Sequence, residues 1–179
     1  MDNRVADTNP VTETGLFARL EALGVEYTLH RHPPAFTVSE AQALRGTLPG
    51  GHVKNLFLRD KKKNFWLVTV LEDRQVDLKA LRHMLAARGN LSFGNPELLM
   101  AMLGVLPGSV TPFGIINDRD GAVSVILDKG VLAQDPVNAH PLRNDMTIAV
   151  TPAGLMRFLS AEDHQPTIID FGELTATAD

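Results

Sequence analysis

The spacing of apolar residues along the chain predicts a series of short helices and strands. Apolar positions recur at helical spacing over 14–23, and Gly24 then provides the left-handed stop that commonly ends a helix. Apolar and polar residues alternate over 25–29, which is typical of a half-buried strand. Pro33 and Pro34 end that strand because proline has no amide hydrogen to donate. The chain is therefore expected to begin with a helix followed by a strand.

The rest of the chain continues this mixture of elements. The same signals predict helices over 37–44, 77–88, 95–103 and 151–159, and strands over 52–59, 65–71, 115–117, 122–127 and 146–150. Single helices interspersed with hairpins are typical of an α+β or mixed α/β domain around one central sheet. A length of 179 residues suits one such domain. We expect a flexible tail over 1–13 and a single domain over 14–179.

Composition narrows the chemistry that the domain can use. The chain contains no cysteine, which excludes disulfides, thiolate zinc sites and cysteine nucleophiles. The 17 basic and 21 acidic residues give a net charge of −4, so nucleic-acid binding would need a local basic face. No apolar run approaches the roughly 20 residues that span a bilayer, and the polar N-terminal stretch lacks the apolar core of a secretion signal. We therefore expect a cytoplasmic protein with no membrane partner.

Lys54 is the first candidate for a functional residue. In the strand predicted over 52–59 it shares a face with Leu56 and Leu58, where a lysine needs an anion or a carbonyl as its partner. The alternative is a lysine near the end of a strand whose ammonium group reaches water. The pattern alone leaves both interpretations open.

Two loops carry further candidates. The stretch 108–114 reads GSVTPFG, and its glycines and proline allow backbone amides and carbonyls to face a ligand, although an ordinary connection is the alternative. His140 precedes a proline in a polar loop, where it could orient a substrate, transfer a proton or lie exposed to solvent. His30 and His32 share a strand face, but no carboxylate at ligand spacing accompanies them, so we expect no metal site.

Basic residues are concentrated in two clusters. The first is at a predicted hairpin tip and the second is along the predicted helix 77–88. Their members are Arg59, Lys61, Lys62 and Lys63 in the first and Lys79, Arg82 and Arg88 in the second. Solvated surface charge is the usual explanation for such clusters. The alternative is that they hold the phosphates of a nucleic-acid backbone, which positions a substrate without reading its sequence.

Four segments, taken in order, resemble a known family. They read HPPAFTVSEA from His32, KNLFLRD from Lys54, GSVTPFG from Gly108 and NAHPL from Asn138. Together they are similar to the free-standing prolyl-tRNA editing proteins of the YbaK superfamily, and most similar to the alanine-specific branch, ProXp-ala. The similarity covers residues 14–174.

The resemblance implies both a fold and an activity. The fold is a mixed α/β domain with a central, largely antiparallel sheet surrounded by helices. The activity is hydrolysis of the ester that joins a wrongly attached amino acid to the terminal ribose of tRNA(Pro), with no cofactor and no metal. The implied partners are mischarged tRNA(Pro) and, transiently, prolyl-tRNA synthetase or an elongation factor.

The resemblance also implies roles for individual residues. Lys54 would position the 3′-terminal phosphate or ribose. Asn55 and His140 would hold the aminoacyl group and the terminal adenosine. The backbone from Gly108 would position the attacking water or 2′-hydroxyl. The implied substrate-binding residues are Pro33, Pro34, Phe36, Ser109, Thr111, Pro112, Phe113 and Gly114, with Phe36 and Phe113 among the walls of a small pocket. Arg59, Lys61, Lys62 and Lys63 would bind tRNA. A cysteinyl-tRNA(Pro) deacylase and a non-catalytic module that captures aminoacylated tRNA remain the alternatives.

Overall fold

The computed structural model describes residues 9–35, 37–45 and 48–176. Helices α1 to α7 span Glu13–Ala22, Val38–Arg45, Leu78–Met84, Pro96–Leu103, Lys129–Leu132, Pro152–Ala161 and Phe171–Ala176. Strands β1 to β8 span Tyr27–Arg31, Gly51–Arg59, Phe65–Leu71, Ser92–Phe93, Val123–Asp128, Val137–Ala139, Met146–Val150 and Thr167–Ile169. A 3₁₀ helix spans Pro112–Asn117.

The strands form one mixed sheet. Its order is β1-β7-β6-β2-β3-β5-β8, and β4 pairs with β2. Within the described ranges four strand pairings are antiparallel and three are parallel. The mixed α/β class and the mostly antiparallel sheet expected from the sequence are therefore confirmed at this level.

Strand β3 is covered on both faces by other parts of the chain. Successive side chains of a strand point to opposite sides of the sheet, so its residues enter two different cores. Leu67 enters a core supplied by α1, α4, α6 and the 3₁₀ helix. Trp66, Val68 and Val70 enter a second core, to which α3 and α7 contribute. Thr69 is a polar residue on the Leu67 face and is fully buried. The sheet is thus the middle of three layers, and Thr69 requires a hydrogen-bond partner within it.

Several helix ends agree with the sequence signals. The Asp77 carboxylate accepts from the amides of Lys79 and Ala80 at the start of α3. Asn95 caps α4 in the same way, and Gly104 ends that helix with φ +64°. These residues were predicted to do so because they are favoured at helix caps. Helix α3 is shorter than predicted and ends at Met84 rather than continuing towards Gly89.

The strand predicted over 115–117 is wrong, because these residues belong to the 3₁₀ helix. The Thr111 hydroxyl accepts from the amide of Phe113, Pro112 supplies the first helical residue, and the Asp118 amide donates to the Ile115 carbonyl. A short apolar run does not distinguish a strand from a tight helix, so the end signals of the 3₁₀ helix decide the conformation. The small elements β4, β6, β8, α5 and α7 were not predicted.

Part of the predicted tail is attached to the domain. The Val11 amide donates to Asn117 Oδ1 at 2.6 Å, and Asn117 Nδ2 donates to the Val11 carbonyl at 3.3 Å. Residues 1–8 lie outside the described residues. None of the described helices combines the length and apolar character that crossing a membrane requires.

Candidate functional site

Parallel pairing of β2 with β6 places Lys54, on β2, near the end of β6, which His140 directly follows. Gly51 pairs with Val137, and His52 pairs with Asn138. Lys54 and His140 each lie two residues further along, His140 directly after the end of β6. Neighbouring strands are about 4.8 Å apart, so the register brings together two residues that the sequence separates widely.

The loop 108–114 is attached to both of these strands. Asn55 Nδ2 donates to the Val110 carbonyl at 3.0 Å, and Thr111 Oγ1 donates to the His140 carbonyl at 2.6 Å. Thr69 Oγ1 in turn donates to Asn55 Oδ1 at 2.7 Å. The loop is thereby attached to β2 at Asn55 and to the main chain of His140, rather than being a free connection.

The half-buried Lys54 has a partner of the type that its strand pattern requires. Its ammonium nitrogen donates to the main-chain carbonyl of Arg74, which follows β3. An ammonium group carries three N–H donors. One contact with a carbonyl therefore leaves two donors with which Lys54 can contact a ligand.

The ring of His140 is held in one tautomer. Its Nδ1 lies 2.8 Å from the Met146 carbonyl, and because a carbonyl only accepts, Nδ1 must carry the proton. Burial lowers the pKa of His140 below its ordinary value, although the hydrogen bond to the Met146 carbonyl and the nearby Asp145 carboxylate oppose this shift. The ring is therefore neutral at pH 7 and has Nε2 as an acceptor.

His32 lies beside His140, with ring centroids 6.2 Å apart. Its Nδ1 contacts the Pro33 carbonyl at 2.9 Å and its Nε2 contacts Thr147 Oγ1 at 2.9 Å. Both ring nitrogens thus already have protein partners, which is typical of a residue that shapes the site. Within the described ranges no group of three potential metal ligands is present.

An open cleft of about 530 Å³ adjoins the loop. Pro34 and Ser109, two of the predicted substrate-binding residues, both line it, together with the exposed Leu106 and with Leu142. Pro33 is exposed next to Pro34. Phe36 lies outside the described residues. The cleft is a concave surface beside the predicted loop, but Lys54, Asn55 and His140 are not among its lining residues.

The second half of the predicted loop belongs to the core. Phe113 has no exposed surface, and its ring packs edge-on against Phe158 at 5.1 Å. Pro112 and Gly114 are also buried, whereas Gly108 is exposed and has φ +85°. The expectation that Phe113 forms a pocket wall is therefore corrected, because its side chain fills the interior beneath the loop. Gly108 is thus the exposed residue at the start of the segment, and Ser109 after it is buried although it lines the cleft.

Comparison with known proteins identifies the family of this domain. The family model described as an aminoacyl-tRNA editing domain matches residues 32–158, which include His32, Lys54, the loop and His140. The chain belongs to the aminoacyl-tRNA editing domain family.

Relatives of this editing domain carry names that refer to proline tRNA. Prolyl-tRNA synthetase associated domain-containing protein 1 of Mus musculus is 40% identical over 86% of this chain and 92% of its own. Prolyl-tRNA editing protein ProX of Acetoanaerobium sticklandii is 33% identical over 82% of this chain and 89% of its own. A solved structure described as a candidate trans-editing enzyme for prolyl tRNA synthetase has a TM-score of 0.67 at 22% identity, covers 88% of this chain and 94% of that one, and shows the shared fold.

The two basic clusters of the editing domain are joined by Asp60. Its carboxylate accepts from the amides of Lys62 at 2.8 Å, Asn64 at 3.0 Å and Arg88 at 2.8 Å. Burial alone would raise the pKa of Asp60, but the hydrogen bonds from Asn64, Arg88 and Lys62 lower it to about 2. Asp60 is consequently charged at neutral pH and holds the exposed lysines of the hairpin tip beside Arg88. Arg59 is half-buried at the end of β2.

Thr69 and Arg74 contact site residues of the editing domain and were missed by sequence reasoning. Thr69 was detectable as the one polar residue in the apolar strand β3. Arg74 carried no such signal, because its contact with Lys54 uses a main-chain carbonyl.

Proposed function

We propose that this editing domain hydrolyses alanyl-tRNA(Pro) and releases alanine and intact tRNA(Pro). One observation carries the proposal: hydrogen bonds join the loop 108–114 both to Asn55, which follows Lys54 on β2, and to the main chain of His140. The names of the mouse and bacterial relatives, which refer to prolyl-tRNA synthetase and to prolyl-tRNA editing, support the tRNA(Pro) part of the substrate. The sequence motifs that resemble ProXp-ala support the alanine part.

The proposed reaction requires accurate placement more than a strong base. Water, assisted by the neighbouring ribose hydroxyl, adds to the ester carbonyl carbon and loses a proton. The bond between that carbon and the ribose oxygen then breaks, the ribose oxygen takes up a proton, and alanine leaves with the new carboxylate. Lys54 holds the phosphate or ribose of the terminal nucleotide through its remaining N–H groups. Backbone amides near Gly108 and Ser109 polarise the ester, and Asn55 and His140 hold the aminoacyl end.

The proposed specificity follows from size. A synthetase pocket shaped for proline rejects a smaller amino acid poorly, because each missing methylene costs only about 1–3 kcal/mol. An editing pocket that is too small for proline reverses this discrimination. Pro33, Pro34 and Phe36 are the proposed walls, and Ser109 and Thr111 are proposed to support them. Thr111 acts indirectly, through its hydrogen bond to the His140 carbonyl.

Mischarged tRNA(Pro) is the proposed partner, bound through Arg59, Lys61, Lys62 and Lys63. Prolyl-tRNA synthetase or an elongation factor is proposed as a transient partner. Deacylation of cysteinyl-tRNA(Pro) on the same site is the nearest alternative activity. Capture of aminoacylated tRNA without hydrolysis is the alternative from another class, and the presence of both Lys54 and the anchored loop argues against it.

The test is a deacylation panel with alanyl-, cysteinyl-, seryl- and prolyl-tRNA(Pro). We expect the wild type to hydrolyse the alanyl ester fastest and to spare the prolyl ester. Lys54→Ala should slow alanyl hydrolysis at least about tenfold, equivalent to about 1.4 kcal/mol, without loss of the folded state. A faster reaction with the cysteinyl ester would reassign the substrate. Tight binding without any hydrolysis would establish the capture function instead.

A further inference from the structure

The ammonium group of Lys54 is tethered by a segment that lies outside the four sequence motifs. Lys54 is on β2, and its acceptor, the Arg74 carbonyl, lies in the turn after β3. A lysine side chain has a flexible four-carbon stem and loses considerable rotamer freedom when it is held in one position. The position of the Arg74 carbonyl thus determines where the ammonium group of Lys54 lies.

The side chain of Arg74 anchors that carbonyl to a distant part of the sheet. Its Nε donates to Asp128 Oδ2 at 3.1 Å, and its own amide donates to the Leu71 carbonyl at 3.0 Å. Asp128 is completely buried at the end of β5, and its second oxygen accepts from the Gly130 amide at 3.0 Å as the cap of α5. A buried carboxylate fixed by two donors is a rigid anchor.

Two glycines provide the space that the Arg74 guanidinium occupies. A Cβ atom at position 130 would lie 2.8 Å from a terminal nitrogen of Arg74, and one at position 172 would lie 3.4 Å from the other. The guanidinium therefore packs against the beginnings of α5 and α7, where larger residues would displace it. The anchor is enclosed on several sides.

We propose that Arg74 is a positioning residue for Lys54. Its side chain, fixed by Asp128, holds its carbonyl at the point where one N–H of Lys54 is engaged and the other two face the substrate. This inference rests on the proposed deacylase function for its catalytic consequence, but the placement of Lys54 itself does not depend on any substrate. Arg74 contacts no reacting atom and acts only through Lys54.

The kinetic test is a double-mutant cycle. Arg74→Gln combined with Asp128→Asn replaces the ion pair by two neutral amides. The glutamine is shorter than the arginine, and the asparagine keeps the shape of the aspartate and avoids leaving a buried carboxylate unpaired. We expect these two substitutions together to lower kcat for alanyl-tRNA(Pro) about tenfold in the wild-type background. In the Lys54→Ala background the same two substitutions should change kcat less than about twofold. The matched control is Lys129→Gln with Asp170→Asn, a surface ion pair in the same region at 3.2 Å, which should leave kcat unchanged. An equal loss of rate in both Lys54 backgrounds would overturn the proposal.

A chemical test needs no substrate and no activity. Acetylation of Lys54 by acetic anhydride, followed by mass spectrometry, reports how freely its amine is available, with the exposed Lys61, Lys62 and Lys63 as internal references. Loss of the anchored carbonyl should raise the relative acetylation rate of Lys54 about fivefold. An unchanged rate in a folded variant rejects the positioning role. If the wild type hydrolyses no aminoacyl-tRNA, the proposed function fails, while this measurement still decides whether Arg74 places Lys54. Arg74→Lys serves as the milder variant if the double amide variant does not fold.

Discussion

The side-chain amide of Asn55 donates to the Val110 carbonyl at 3.0 Å and thereby attaches strand β2 to the loop 108–114. Thr69 fixes the orientation of that amide, because its hydroxyl donates to the opposite end, Oδ1, at 2.7 Å. The attachment of the loop to β2 thus depends on a buried threonine, which donates to Asn55 and not to the loop itself.

Removing the Thr69 hydroxyl should therefore lower activity without removing a residue from the site. Thr69→Val keeps the shape of the side chain, and loss of one hydrogen bond of about 1 kcal/mol predicts roughly a fivefold slower alanyl-tRNA(Pro) deacylation. Asn55→Ala should reduce the rate further, because it also releases the loop. Single-turnover rates measure both effects. Thr167→Val, an exposed threonine on β8, is the matched control, and equal losses for the two threonine variants would contradict the role of Thr69.

The lowered pKa of His140 predicts a particular pH dependence. The neutral ring is the form that the folded protein favours, so protonation below the ordinary value of about 6.5 favours the unfolded state and removes the Nε2 acceptor. We expect kcat/KM to be constant near pH 7 and to fall only as the pH drops through the lowered pKa. His140→Ala should be slower at pH 7 and should lack this fall. Profiles of identical shape in both proteins would rule out any titration of His140 in the reaction.

The lysines of the hairpin tip should contribute to tRNA affinity rather than to chemistry. Replacing Lys61, Lys62 and Lys63 by glutamine should weaken binding and reduce the slope of log K against log[salt] by about 2–3, if each contacts one phosphate. The single-turnover rate at saturating enzyme should hardly change, because phosphate contacts position the substrate.

The matched control for charge is a second triple variant with exposed basic residues from other surfaces, namely Arg119, Lys129 and Arg157 replaced by glutamine. An equal change of slope in both triple variants would indicate only a general effect of net charge. No change in the hairpin variant would transfer the binding role to Lys79, Arg82 and Arg88.

The two phenylalanines expected at the pocket should behave differently. Phe113→Ala removes a ring that packs against Phe158 in the core, and we expect it to lower the free energy of unfolding by about 3–5 kcal/mol. Phe36→Ala should instead raise hydrolysis of prolyl-tRNA(Pro) relative to alanyl-tRNA(Pro), because it removes part of the proposed wall and enlarges the pocket. Urea denaturation and the ratio of the two hydrolysis rates distinguish the outcomes. A stable Phe113→Ala protein that hydrolyses the prolyl ester would show that Phe113 lines the pocket after all.

Local signals in the sequence determined much of the secondary structure. Strands β3 and β7 have the bounds predicted from their apolar runs, and α4 begins and ends at its predicted cap residues. These elements depend on hydrogen bonds and side-chain patterns within a few residues, which the sequence displays directly. The strand predicted within the segment 112–117 was wrong, because a short apolar run is compatible with more than one conformation.

The sequence by itself determined the family, the class of fold and the residue types available for chemistry, because motifs and composition are local properties. Only the tertiary structure decided that the strand of Lys54 pairs with the strand that His140 follows, that Asn55 holds Val110 across 55 residues of chain, and that Arg74 reaches Asp128 across 54. It also decided that Phe113 fills the core instead of facing substrate. The physical reason is that strand register, burial and main-chain acceptors depend on how distant segments pack, and no single segment of sequence specifies them.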